Sequence, residues 1–327
     1  MKQKLKDIFG LLVRVGLSAA LLIYLFRKID ISATWEIFKT ADLTYILCAG
    51  AVFAVINFVL LVRWMVLIRA LDIKVSLTNI FRYFFIGLFG NLFLPSAIGG
   101  DVIKTIGLCV HCNEKAKVVA SVLLDRLSGF AGMAVVAIVS FMIGQHLIDD
   151  RSLSLTIFAM AAVSVFVGTV LFNEKIYSFG CRIFSRLPKI QKNLMDLHYD
   201  IALLKDKRTA LYKVVALSGF AQVLAAIVSF FLGKALHQDI LLIYFIIFTP
   251  IICVITTLPS IGGLGVREAG AAYLLAKVGV SSGIAVSISL MTFLFMVIVG
   301  LFGGIVYAAT KSPVKELIKK TAETASP

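Results

Sequence analysis

Charge is what this sequence has least of. Only 15% of its 327 residues are Asp, Glu, Lys or Arg, and 60% are apolar; a soluble domain carries about a quarter charged and about half apolar. A water-facing globular surface is therefore excluded over most of the chain. Proline is scarce at 6 residues, and acidic residues number 18 against 32 basic ones. Five cysteines (Cys48, Cys109, Cys112, Cys181 and Cys253) are scattered in an odd set that supports no disulfide framework. Cys109-Val-His-Cys112 has no second Cys/His pair at a useful spacing, so no zinc or other metal site is expected. There is no phosphate loop and no Gly-x-Ser-x-Gly elbow, and Gly263-Leu-Gly265 sits in no strand–helix unit. A nucleotide-driven pump, a catalytic residue and a cofactor are all outside what these residues support.

What the chain does have is long apolar runs, with a mean hydropathy of +0.99. They fall at about residues 8–26, 44–62, 118–144, 152–172, 211–234 and 283–309. At 1.5 Å per residue each can cross about 30 Å of hydrocarbon. The first run carries Arg14 and ends without a small-residue cleavage pattern, so it reads as a retained helix, not a signal peptide. The net charge of +14 comes from basic loops between runs, where it sets orientation and meets anionic lipid; no nucleic-acid partner is implied. The loop 173–210 and the tail 311–327 are basic, and the positive-inside rule puts both termini in the cytoplasm of a cell (plasma or inner) membrane. Within that loop, Ile190, Leu194, Leu197, Ile201 and Leu204 recur at helical spacing, an amphipathic helix on the inner leaflet. Ile31, Trp35 and Phe38 read as interfacial on the outer side.

Two further apolar stretches, 79–110 and 240–278, are each broken by nearly the same words. "LPSAIGGDVIK" begins at Leu94 and "LPSIGGLGVRE" at Leu258, and in both a basic residue (Lys104, Arg267) stands four positions after the second Gly. Pro95 and Pro259 end an incoming half-helix. Gly99, Gly100, Gly262, Gly263 and Gly265 permit unusual dihedrals and close approach. Irregular backbone at membrane depth survives only inside protein or along a wet cavity. Half-helices restarting after the glycines, the first with Asp101 placed to cap it, would point positive dipole ends toward mid-membrane, which suits an anion. Paired breaks in two halves point to a transporter's substrate site. The expected architecture is therefore an all-α polytopic membrane protein with about six full spans and two re-entrant hairpins in an inverted repeat. The halves are residues 1–172 and 211–310 of one membrane domain, 1–310. Eight full spans are the alternative.

Buried charges reinforce the reading, because they are rare in membranes and usually pair or mark a site. Asp101, Lys104, Arg267 and Glu268 flank the breaks, and Asp125 and Arg126 lie inside an apolar run. Asn91, Ser96 and Ser260 add neutral hydrogen-bonding groups. The set has more positive than negative character and suits the phosphate of a lipid head group. Asp125 with Arg126 as a purely structural ion pair is the plainer alternative.

"GNLFLPSAIGGDVIK", "LLDRLSG" and "LPSIGGLGVREAG", in that order, closely resemble the lysylphosphatidylglycerol synthase transmembrane family, which is also described as flippase-like. The resemblance covers roughly residues 5–310. It implies a membrane part that moves a lipid between leaflets, and it carries over Asn91, Pro95, Gly99, Gly100, Asp101, Lys104, Asp125, Arg126, Gly129, Pro259, Gly262, Gly263, Gly265, Arg267 and Glu268. Lys104 stands where arginine would be expected, which keeps the charge but loses the two-pronged fork. Family members that aminoacylate lipids carry a soluble transferase domain after the membrane part. This sequence shows none, so it is expected to aminoacylate nothing alone. The expectation is a lipid translocase acting on an anionic, aminoacylated or lipid-linked sugar head group, with a phospholipid or polyprenyl-linked lipid as partner. A membrane subunit that presents such a lipid to a separate transferase, or that stabilises such a complex, is the alternative.

Overall fold

The apolar runs form helices, and one of these helices continues through a single proline, Pro250. The computed structural model describes residues 39–93, 99–112, 114–144, 154–159, 161–163, 207–257 and 263–310. In chain order the helices are α1 (Leu43–Ala70), α2 (Leu77–Phe93), α3 (Gly99–Cys109), α4 (Lys115–Gly144), α5 (Arg208–Ala235), α6 (Leu242–Ile255), α7 (Val266–Ala276) and α8 (Ser282–Ala309). Residues 154–159 and 161–163 are also helical, and the described residues contain no strand. Four helices (α1, α4, α5 and α8) are long and apolar enough to cross a membrane. The protein is thus a helical membrane protein, all of whose described secondary structure is helix. Asp42 caps α1 by accepting from the Thr44 amide at 2.8 Å, and Ser281 caps α8.

The expected runs at 44–62, 118–144, 211–234 and 283–309 correspond to α1, α4, α5 and α8. One boundary differs: α1 continues to Ala70, because Arg63 is neutralised inside the protein and does not end the helix. The run 8–26, most of 152–172, the segment 190–204, and Ile31, Trp35 and Phe38 lie outside the described residues.

The order long, short, short, long occurs twice, as α1–α4 and as α5–α8. The two leading helices run antiparallel against each other, fastened at both ends. At one end the Asp42 amide donates to Ala235 O at 3.0 Å. At the other, Lys207 Nζ donates to Ala70 O at 2.7 Å and to Asp72 Oδ2 at 2.6 Å. The Lys207 hydrogen bond and charge hold the Asp72 carboxyl below its usual range, and Lys234 does the same for Asp239. Both carboxylates are depressed, so the Lys207–Asp72 and Lys234–Asp239 ion pairs are present above the ordinary carboxylate range and are lost as pH falls through the lowered values.

Two apolar cores mark the two ends of the molecule. Ala49, Leu236, Phe245, Leu275 and Ile288 belong to the first. Leu71, Ile80, Leu108, Val118 and Val214 belong to the second. Ile80 near the start of α2 and Leu108 near the end of α3 share the second core, and Tyr83 Oη lies 2.9 Å from His111 Nε2 beside it. Phe245 near the start of α6 and Leu275 near the end of α7 share the first core. Packing between halves is reciprocal: α8 lies against α2, and α4 lies against α6. Small residues allow the closest approaches. A Cβ on Gly303 would stand 2.0 Å from Phe85 O of α2, and one on Gly132 would stand 2.4 Å from Ser218 Cβ of α5.

Gly303→Ala must therefore push two backbones apart and should destabilise the fold by about 1–3 kcal/mol, the usual cost of overpacking. Gly219→Ala meets only Val136 Cγ2 at 3.6 Å and should be neutral. Thermal unfolding of the two purified variants in detergent compares them directly.

Candidate functional site

The first break is held together by glycine. A Cβ on Gly100 would stand 2.1 Å from Gly87 O, so only glycine lets α3 lie this close to α2. The Gly100 amide at the start of α3 donates to Asn91 Oδ1 at 2.9 Å. Asn91, not Asp101, satisfies this N-terminal amide. Asp101 sits in the first turn of α3 and turns its carboxylate to Arg126 of α4.

Next to this lies an ion network drawn from four helices. Arg63 Nε of α1 donates to Asp125 Oδ1 of α4 at 2.7 Å, and Arg63 Nη1 donates to Ser218 Oγ of α5 at 3.1 Å. The Lys104 ammonium of α3 stands 3.7 Å from Asp101 and 4.0 Å from Asp125, over the rings of Trp64 at 5.2 Å and Phe84 at 4.8 Å. Arg63, Lys104 and Asp125 are all buried. Gly129, one turn along α4 from Asp125, leaves room for the guanidinium: a Cβ there would stand 3.3 Å from Arg63 Nη1. Asp125 and Arg126 are thus not partners of each other. Being adjacent on a helix they point apart, Asp125 to α1 and Arg126 to α3.

The second break has a different chemistry. Gly263 and Gly265 adopt φ of +79° and +83°, the left-handed region that glycine enters without strain. Glu268 is fully buried and reaches back so that Oε2 accepts from the Gly265 amide at 2.6 Å. Its Oε1 accepts from Arg267 Nη2 at 2.7 Å and from Ser289 Oγ of α8 at 2.9 Å. Arg267 also donates from Nε to Ser289 Oγ at 2.8 Å, has Nη1 3.4 Å from Met296 Sδ, and lies over the Phe293 ring. Both helix starts expected to receive an anion therefore already have an internal acceptor, Asn91 in one case and Glu268 in the other.

A cavity of about 360 Å³ adjoins the second break, walled by α1, α2, α5, α6, α7 and α8. Of the sequence-derived candidates, Asn91, Gly263 and Arg267 line it. Asp101, Lys104, Asp125 and Arg126 form the separate network, with Gly99 and Gly100 at its edge. Glu268 and Gly265 lie behind Arg267. Pro95, Ser96, Pro259, Ser260 and Gly262 lie outside the described residues. Arg63, Ser218 and Ser289 escaped sequence reasoning. Arg63 had a signal, a cation abutting a run that could have continued through it; a serine in a membrane helix has none. Among the described residues no group of His, Cys, Asp and Glu could hold a metal.

These features define a class: a polytopic helical membrane protein whose buried charges cluster at two matched breaks in its helices. The family described as Lysylphosphatidylglycerol synthase TM region matches residues 11–304, and the chain belongs to it. The chain is also 26% identical over 312 residues to the UPF0104 membrane protein PH1989 of Pyrococcus horikoshii, a match spanning 86% of this chain and 90% of that protein.

If Arg63–Asp125 is the tie its geometry indicates, Asp125→Ala should cost about 3–5 kcal/mol, because it strands a buried guanidinium. The double variant Arg63→Met, Asp125→Leu should recover most of that loss. Thermal unfolding in detergent reads both, and a single variant as stable as the parent would show that the pair ties nothing.

Proposed function

We propose that the protein is a lipid translocator that moves a phosphate-bearing head group between leaflets of the cell membrane without making or breaking a covalent bond. Its two halves act as inverted repeats, and the α2–α3 and α6–α7 pairs act as re-entrant hairpins that meet at mid-depth. The observation that carries this reading is the placement of hairpin ends. Both ends of α2–α3 pack in one core and both ends of α6–α7 in the other, while α1 and α5 run antiparallel. Hairpins related in this way bring two breaks, each with buried charge, to the centre of the molecule. Such sites hold substrate in transporters built from discontinuous helices. Family membership supports a lipid-related role.

Arg69, Lys74, Lys115, Lys117, Lys207 and Arg208 gather at the end where α2–α3 opens. The opposite end carries Lys39, Lys234 and Lys277 beside Asp42 and Asp239. The first end is therefore cytoplasmic by the positive-inside rule, and the cavity lies in the outer half. In this conformation the network of Arg63, Lys104, Arg126, Asp101 and Asp125 closes the cytoplasmic half. Translocation requires that network to loosen while the Arg267 side tightens.

Reconstitution into liposomes containing fluorescent lipids of several head groups tests the activity. Transbilayer movement should accelerate, and Arg126→Ala and Arg267→Lys should each reduce it about tenfold or more, the loss of one charge-assisted contact. No acceleration for any phospholipid or polyprenyl lipid would reject translocation and favour the membrane subunit that presents lipid to a transferase. Topology has a separate test. Lys115→Cys should react with an impermeant thiol reagent from the cytoplasm and Ser281→Cys from outside; reaction of both from one face rejects the inverted arrangement.

A further inference from the structure

The cavity beside the second break is polar at one end and apolar at the other. Its polar wall lies at the centre of the molecule: Asn91 in the last turn of α2, Arg267 in the first turn of α7, Thr256 just past α6 and Thr292 within α8. Its mainly apolar wall lies toward the end where α6 and α8 begin: Phe245, Phe248, Ala271, Leu275 and Ile288, alongside the hydroxyls of Ser229 and Thr249. The polar end offers donors. Asn91 has its carbonyl occupied by the Gly100 amide, so its Nδ2 is what it can offer. Arg267 has five N–H groups; Glu268 and Ser289 take Nε and Nη2, and the contact of Nη1 is a thioether, a weak acceptor. The polar end is also electrically neutral, because Glu268 lies against the same guanidinium.

A neutral donor set at one end and hydrocarbon at the other does not match a whole charged head group. It matches an amphiphile that brings acceptor oxygens on a hydrocarbon chain. We infer that this cavity is a chain-binding slot: one acyl or prenyl chain of a membrane lipid enters it, with the ester or phosphate oxygens at the base of the head group against Arg267 and Asn91. The chain points toward the outer face. This is the orientation of a cytoplasmic-leaflet lipid drawn up to mid-depth. The inference rests on the translocator reading and extends it: at least one chain crosses inside the protein.

The test uses tryptophan fluorescence and lipids brominated on their chains. Phe248 is buried in the cavity wall, and Trp64 is buried away from it against Phe84. One protein carries Trp35→Phe and keeps Trp64. A second carries Trp35→Phe, Trp64→Phe and Phe248→Trp. Both are placed in vesicles of phosphatidylglycerol and phosphatidylcholine with dibrominated chains. The indole at position 248 should lose at least half its emission while Trp64 loses little. Adding Ala271→Phe, which fills the slot, should restore the emission; Ala225→Leu serves if that variant does not fold. Quenching at position 248 no greater than at Trp64 overturns the chain slot. The liposome assay is read separately. Translocation without quenching rejects the slot and leaves the translocator, and quenching without translocation leaves the slot and rejects the translocator.

Discussion

A charge buried among apolar helices has to be neutralised by another part of the protein, and in this molecule that requirement ties the helices together. Two unit charges 4 Å apart attract by about 4 kcal/mol at an effective dielectric near 20, several times their attraction in water. Asp125 is consequently drawn to Arg63 on α1, Asp101 to Arg126 on α4, and Lys104 lies between both carboxylates. Three cations and two carboxylates fasten α1, α3 and α4 around one point, and Ser218 adds α5. Apolar packing alone would not set this register, because lipid tails are as apolar as the helix faces they would replace.

The matched breaks meet that requirement in unequal ways. At the first, Gly87, Gly90, Gly100 and Gly107 bring α2 and α3 into backbone contact, and the ammonium of Lys104 is enclosed by two aromatic rings. At the second, Gly263 and Gly265 take left-handed dihedrals, Glu268 caps the start of α7, and a cavity remains. The sequence difference behind this is small: Asp101 in one copy, Leu264 and Gly265 in the other, with an acid placed one residue after the base instead of three before it. Moving the carboxylate turns it from an interhelical tie into a local neutraliser.

Much of this was legible in the residues. Uninterrupted apolar runs marked the long helices, and the repeated Leu-Pro-Ser and Gly-Gly marked the short ones, because breaks and lengths are local properties. The charged residues worth attention were legible too, since their rarity singles them out. Their partners were not. Asp125 and Arg126 are neighbours in sequence and invite pairing, but the 100° turn per helical residue sends them to different helices. The role of Arg63 does not stand out in the sequence, because a lone arginine beside an apolar run ordinarily marks the end of that run; only the position of α4 reveals a carboxylate waiting for it. Whether a helix-start amide stays open for a ligand also depends on three-dimensional neighbours, as Asn91 and Glu268 show.

The neutral state of the second break bears on how a translocator could turn over. A lone guanidinium in a low-dielectric cavity would hold a phosphate so strongly that release to the far leaflet would become slow. Pairing Arg267 with Glu268 reduces that attraction while leaving directional N–H donors in place. Passage requires binding good enough for entry and weak enough for exit. The excess cation at the first network and the neutralised one at the second then differ in a useful sense. On the translocator reading, a head group would meet net positive charge at the first network and only hydrogen-bond donors at the second.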